Sequence, residues 1–225
     1  MGKKTARIME ISQYNGNVQA RSANQKSYIN LLNDMSKCYV IATGVAGSGK
    51  TMIATEKGIE FFQKKLFDKI VITRPAVTID EEHGFLPGNL NEKMEPWVIP
   101  ILDIFKEHFK KDYIEYLIKN EQIEIAPLAY IRGRTFKNAW IIADEMQNAT
   151  TNQMKSLLTR LGENSKLVIT GDLQQTDSVG INGLSHFLTN LKKHDADFIR
   201  TINFTTEDIQ RHPAITEILT IYGDL

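Results

Sequence analysis

The sequence predicts an α/β fold, a three-layer domain with helices on both faces of a mainly parallel sheet. Three observations carry this reading. Short apolar strand candidates alternate with helical stretches along the chain, the order that builds parallel sheets. Ile70-Val71-Ile72, Ile141-Ile142-Ala143 and Leu167-Val168-Ile169 are nearly continuous apolar runs, as strands buried on both faces are. One strand candidate leads through a glycine-rich loop, Gly44-Val45-Ala46-Gly47-Ser48-Gly49-Lys50-Thr51, into a helix.

In chain order, residues 1–23 are polar and weakly patterned and are expected to form an N-terminal arm, followed by a single domain over residues 24–225. Asn24 to Met35 places Tyr28, Ile29, Leu31, Leu32 and Met35 at helical spacing. Strands are expected at 37–43, 69–73, 123–126, 139–143, 166–170 and 199–204, and helices at 51–65, about 98–119, 151–161, 182–193 and 214–222. Thr78 to Glu95 breaks the alternation with Gly84, Pro87, Gly88 and the acids Asp80, Glu81 and Glu82. A long irregular insert of this kind is usually functional or mobile. Pro96 and Pro100 bracket the expected start of the next helix.

A chain of 225 residues with 42% apolar content suits one large domain with its own core. No apolar run reaches the length of a membrane helix, so no membrane partner is expected. Met1 to Tyr14 has no apolar signal core. The one cysteine, Cys38, cannot form an internal disulfide, and a reducing, cytoplasmic location is the natural expectation. The net charge is zero, which is not the overall balance of a dedicated nucleic-acid binder; such contact would need a local patch. The pairs Lys64-Lys65, Lys110-Lys111 and Lys192-Lys193 read as solvated faces.

The loop at residues 44–51 is a complete Walker A phosphate loop, with a strand before it and a helix after it. Gly44, Val45, Ala46, Gly47, Ser48 and Gly49 let the backbone curl so that N–H groups point at a polyanion. The helix N-terminus adds partial positive charge. Lys50 supplies a full charge for the β- and γ-phosphates of ATP, and the Thr51 hydroxyl can ligate the Mg2+ that bridges them. Trp140-Ile141-Ile142-Ala143-Asp144-Glu145 has the form of a Walker B strand. Asp144 would hold the magnesium ion. Glu145 beside it would orient and polarise an attacking water. Thr170-Gly171-Asp172-Leu173-Gln174-Gln175 ends another strand and brings Gln175 or Gln174 toward the same crevice. Thr73-Arg74-Pro75 and Arg132-Gly133-Arg134-Thr135 follow strand ends on the ligand face. Arginine's planar fork suits phosphate, so Arg74, Arg132 and Arg134 are candidates for nucleic acid or nucleotide.

Over roughly residues 24 to 222 the chain closely resembles the PhoH-like family of P-loop ATPases. The resemblance is carried by Asn24-Gln25 with Tyr28, the phosphate loop, Thr73-Arg74-Pro75-Ala76-Val77, Gly84-Phe85-Leu86-Pro87-Gly88 and Glu92-Lys93. It continues through Ala126-Pro127-Leu128-Ala129-Tyr130, Arg132-Gly133-Arg134-Thr135 and Asp144-Glu145-Met146-Gln147-Asn148. Leu158-Thr159-Arg160-Leu161-Gly162, Thr170-Gly171-Asp172 with Gln175 and Asp177, and Arg211-His212-Pro213 complete it.

The resemblance implies a RecA-like core similar to the first motor domain of superfamily-one helicases. It implies ATP hydrolysis, a link to RNA or single-stranded DNA, and a homo-oligomer in the form of a hexameric ring. It also implies that Gln25 reads the adenine edge, that Thr73-Arg74 is a strand-binding motif, and that Gln175 is the glutamine of a GDxxQ motif. Many family members carry a further domain, for which this chain leaves no room. Family members have a basic residue after the Thr-Gly-Asp strand, where this chain has Ser178-Val179-Gly180-Ile181-Asn182. That makes Arg211 the better candidate for an arginine completing the site, supplied by a neighbouring subunit.

Three other functions compete. A regulatory ATPase switch for protein partners fits the neutral charge. A GTPase is disfavoured because the guanine-selecting Asn-Lys-x-Asp tetrapeptide is absent. A small-molecule kinase fits less well because the adjacent Asp144-Glu145 pair suits water activation better than transfer to a bound acceptor.

Overall fold

The computed structural model describes residues 18–75, 90–175, 182–210 and 213–222. The expected arm up to residue 17, the insert between 76 and 89, and Arg211 lie outside the described residues. The elements are α1 Ala23–Asn33, β1 Tyr39–Gly44, α2 Lys50–Gln63, β2 Lys69–Thr73, α3 Leu90–His108, α4 Lys111–Lys119 and β3 Ile123–Ile125. They continue with β4 Ala139–Ala143, α5 Thr151–Leu158, β5 Lys166–Gly171, α6 Gly183–Leu191, β6 Ile199–Phe204 and α7 Pro213–Tyr222.

The strands form one sheet in the order β3-β2-β4-β5-β1-β6, and every pairing is parallel. Strand side chains alternate between two cores, as the two-residue period of a strand demands. Val40, Ala42, Ile70, Ile72, Trp140, Ile142 and Val168 pack with Tyr28 of α1, Ile53 of α2, Phe105 of α3 and Leu117 of α4. Ile41, Val71, Ile141, Leu167 and Ile169 pack on the other face with Met154 of α5 and Leu184 of α6. Burying each of the larger side chains contributes about 1.5–3 kcal/mol, which is why the apolar runs were legible as central strands. Gly58 shows how tight the first face is: a β-carbon there would lie 2.6 Å from the Trp140 ring.

Register aligns the carboxyl ends of the strands. Thr43 pairs with Gly171, Thr73 with Ala143, and Ala143 with Ile169. The chain leaves β1 for a helix on the first face and leaves β5 for a helix on the second. Neighbouring strands whose connections part in this way open a crevice at their carboxyl ends, where open α/β sheets bind ligands.

Two sequence expectations are corrected. The helix expected at about 98–119 is two helices, α3 and α4, separated at Phe109-Lys110. Lys106 and His108 close α3 and Asp112 opens α4, which are the charges each helix end favours. The break lets Ile114 and Leu117 of α4 join the core. In addition, α3 starts at Leu90, within the stretch read as irregular insert, and runs through Pro96 and Pro100 rather than starting between them. An interior proline costs about 3 kcal/mol. Against this, α3 buries Val98, Ile101, Leu102 and Phe105, each contributing about 1.5–3 kcal/mol.

A buried lysine ties the start of β5 to α1. Lys166, only 2% exposed, donates from Nζ to the carbonyls of Leu31, Leu32 and Asp34 at 2.8, 2.8 and 2.9 Å. These carbonyls sit at the C-terminal end of α1, where acceptors lack intrahelical partners and positive charge is favoured. Burial pulls the ammonium down to about 8, although the Asp34 carboxylate works in the opposite direction. The unfolded chain, with an ordinary lysine near 10.4, holds the proton more tightly. This residue therefore adds stability as pH rises from about 8 to about 10, and the increment is absent below that window. Lys166→Met is expected to lower the unfolding free energy at pH 7 by about 1–3 kcal/mol, because buried carbonyls lose their donor. It should also abolish the rise between pH 8 and 10. Urea titrations at the two ends of that window check both effects, and an unchanged midpoint at pH 7 would refute the capping role.

Candidate active site

The phosphate loop leaves β1 at Gly44, whose φ of 115° lies outside the range comfortable for other residues. A β-carbon at Gly44 would also sit 2.0 Å from the Phe204 carbonyl at the end of β6, so only glycine lets the neighbouring strand close on the loop. The Ser48 hydroxyl donates to the Val45 carbonyl at 2.8 Å. Lys50 opens α2 and is 8% exposed. Its ammonium donates to the carbonyls of Gly44 and Val45, both at 2.7 Å, and to Ser48 Oγ at 3.2 Å. The ammonium is thus held inside the loop and largely out of water.

Asp144 follows β4 and is buried. One carboxylate oxygen accepts from Thr51 Oγ1 at 2.7 Å and from Thr170 Oγ1 at 2.5 Å. The phosphate loop, β4 and β5 therefore meet on a single atom. The donor set is oxygen only, a hydroxyl and a carboxylate within one hydrogen bond of each other, which suits a hard cation such as Mg2+. Close by, Tyr28 is fully buried, and burial first, then the Asp144 charge, push its phenol above the ordinary range.

Glu145 adopts φ 54° and ψ 38°, the left-handed region, a conformation that costs non-glycine residues roughly 1–3 kcal/mol and persists where the surroundings enforce it. Its carboxylate accepts from Gln147 Nε2 at 2.5 Å and lies 3.8 Å from an Arg74 guanidinium nitrogen. Gln147 is 2% exposed, and its Oε1 accepts from the Asp172 backbone N–H at 3.1 Å. That donor fixes which end of the amide is oxygen, and so turns the NH2 toward Glu145. Gln147 links the acid after β4 to the turn after β5. Reading residues singly missed it; its only trace is its place in the run Asp144 to Asn148.

A cavity of about 330 Å3 gathers the loop residues Ala46, Gly47, Gly49, Lys50 and Thr51 with Asp144, Glu145, Thr170, Gly171 and Asp172. The other candidates fall in different places. Gln25 is buried beneath the loop, with Nε2 donating to the Ser48 carbonyl at 3.0 Å and Oε1 accepting from Arg21 N at 2.7 Å. Next to it, Asn24 donates to Asp208 at 2.8 Å, and Gln210 N donates to the Gly47 carbonyl at 3.0 Å. The segment before α7 is thereby tied to both α1 and the loop. Burial raises the Asp208 carboxyl, but bonds from Asn24, Ser22 and Thr205 outweigh it and hold the group below its ordinary value. Gln175 lies exposed in the turn after β5. Arg134 is ion-paired with Glu124 and covers the Phe136 ring at 4.8 Å, whereas Arg132 is exposed beside a separate cleft. The three arginines read together in the sequence are thus in three settings, and only Arg74 touches a residue of the cavity.

Residues 17–223 match the family described as PhoH-like protein. The PhoH-like protein of Mycobacterium tuberculosis strain H37Rv is 39% identical over 215 residues, which are 95% of this chain and 60% of that protein. The PhoH-like protein of Bacillus subtilis is 40% identical over 209 residues, 91% of this chain and 64% of that protein. Protein PhoH of Escherichia coli K12 is 39% identical over 210 residues, 92% of this chain and 58% of its own length. The chain thus spans about three fifths of these relatives. Among solved structures, the Pif1 helicase from Candida albicans is similar with a TM-score of 0.45 and 17% identity, covering 88% of this chain and 43% of that one. Among the described residues, no helix is long and apolar enough to cross a membrane.

Proposed function

The chain belongs to the PhoH-like protein family, and from the geometry of its site we propose that it binds ATP with Mg2+, hydrolyses the β–γ phosphoanhydride, and acts on RNA or single-stranded DNA. The observation that carries this reading is the single cavity that gathers Lys50, the Thr51–Asp144 pair at 2.7 Å and Glu145. Lys50 and the loop N–H groups hold the β- and γ-phosphates. Thr51 and Asp144 would hold the magnesium ion, which when bound neutralises charge on the phosphate oxygens. Glu145, positioned by Gln147, orients a water for in-line attack on the γ-phosphorus and accepts its proton. The bond from that phosphorus to the bridging oxygen breaks, and ADP leaves with the electron pair. Gln175 is a candidate for sensing the γ-phosphate. Gln25 supports the loop through Ser48, and reading adenine would require its amide to exchange that partner for the base. Arg211 is the arginine proposed to complete the site in a homo-oligomeric ring. A cytoplasmic location is part of the same reading.

Arg74 gives a physical route from nucleic acid to chemistry. Its guanidinium stands 3.8 Å from the Glu145 carboxylate, so a strand phosphate that engaged Arg74 would change the field on the group that orients water. The expected result is an ATPase rate that rises severalfold when U20 or dT20 oligonucleotide is added. A rate indifferent to both strands, in protein that still turns over ATP, would favour a switch for protein partners, the reading the neutral net charge supports.

A further inference from the structure

A second cleft, of about 560 Å3, lies beyond the nucleotide cavity between the turn after β3 and helix α5. Three cations line it: Arg132 from the turn, Lys155 on α5, and Arg160 just past the end of α5. No acidic side chain is among its described lining residues, where the remaining polar groups are neutral, Asn152 and Gln153 among them. None of the three cations forms an ion pair with a described residue. Arg160 is instead anchored by neutral acceptors, donating to the Arg134 carbonyl at 3.1 Å and to Thr159 Oγ1 at 3.0 Å. Arg74 and Arg134, by contrast, are each matched by a glutamate. In a chain of zero net charge, this groove gathers three positive charges with no acidic side chain among its described lining residues. Tyr130, 62% exposed, stands in the turn that supplies one wall and offers a flat ring to a base.

We propose that this groove holds the phosphodiester backbone of a single-stranded nucleic acid, with Arg132, Lys155 and Arg160 each taking a phosphate and Tyr130 stacking on a base. The proposal rests on the nucleic-acid reading above and adds to Arg132 two residues, Lys155 and Arg160, to which the sequence assigned no nucleic-acid contact. Arg134 is left out of the groove because it is not among the lining residues and its guanidinium is ion-paired with Glu124, which Lys69 shares. A phosphate chain suits the groove because its cations come from two separate segments of the fold. Arg132 comes from the turn after β3, and Lys155 and Arg160 come from α5 and the residues just past it, so the two sides of the groove can meet different phosphates of one chain. Helix α5 begins six residues after Glu145, so a strand seated here would pull on the segment that carries the water-orienting carboxylate.

The test is fluorescence anisotropy of labelled U20 and dT20 across a salt series. Each phosphate contact contributes about 0.7 to the log–log salt slope for single strands. Arg132→Ala with Lys155→Ala, both exposed residues, should weaken binding at least tenfold at low salt and flatten the slope by about 1.4. Lys192→Ala with Lys193→Ala, at the far end of α6, removes the same charge elsewhere and should leave the slope unchanged. Equal thermal midpoints for the two double variants show that folding is not the cause. If the wild type binds either strand and the groove variant binds with the same slope, the groove is wrong while the nucleic-acid reading stands. If the wild type binds neither strand at low salt, both fail together.

Discussion

Lys50→Ala is expected to abolish measurable ATP binding at concentrations that saturate the wild type, and to lower turnover by about 10²–10³-fold or more, the scale for losing one preorganised electrostatic contact to a reacting group. The reason lies in how the ammonium is held. It is nearly fully buried among the carbonyls of Gly44 and Val45, so folding has already removed its water. A phosphate arriving in the loop meets a charge with little left to desolvate, where attraction is far stronger than in bulk solvent. Alanine leaves the loop N–H groups but takes away the charge and one donor from each of the Gly44 and Val45 carbonyls, the second of which keeps the Ser48 hydroxyl. Fluorescent-nucleotide titration and phosphate release measure the two effects separately. Wild-type turnover in the purified variant would sink the site assignment, and an unchanged thermal midpoint would exclude unfolding as the cause.

Glu145→Gln should separate binding from chemistry. The amide keeps the size of the side chain and an oxygen to accept from Gln147, but it cannot take a proton from water. Hydrolysis is expected to fall by about 10²–10⁴-fold, the usual contribution of a general base, while ATP affinity stays within about a factor of three. Gln147→Leu makes the complementary change. It leaves the carboxylate in place and removes the bond that turns it, together with the link to the Asp172 N–H. Its single-turnover rate should lie between those of the wild type and Glu145→Gln, again with ATP affinity kept. An active Glu145→Gln enzyme would move the base to another residue. A Gln147→Leu variant at the wild-type rate would show that the left-handed backbone alone aims the carboxylate.

The residues that meet in the candidate site were largely legible because they lie in local motifs. A phosphate loop is a run of neighbouring residues whose backbone conformation follows from its own glycines. Asp144-Glu145 at the end of an apolar run needs only a strand to carry it to the ligand edge. The four central strands were legible for a related reason, since burial on both faces demands apolar side chains at successive positions. Helix ends were harder. Pro96 and Pro100 argue locally for a helix start, and the burial of Val98, Ile101, Leu102 and Phe105 against the sheet overrode them. That burial depends on partners distant in the chain.

By itself, then, the sequence determined the layered α/β class, the phosphate loop and the Asp144-Glu145 pair, because each is set by residues adjacent in the chain or one strand period apart. Only the tertiary structure decided which charges are spent and which remain available. Arg134 and Lys69 share Glu124 at the β3 edge, Arg74 faces Glu145 because β2 lies beside β4, and Arg132, Lys155 and Arg160 share one groove. It also decided that Gln147 bridges the turns after β4 and β5. Electrostatic pairing falls off over a few ångströms in space, and distances on that scale between residues far apart in the chain are fixed by sheet order and register.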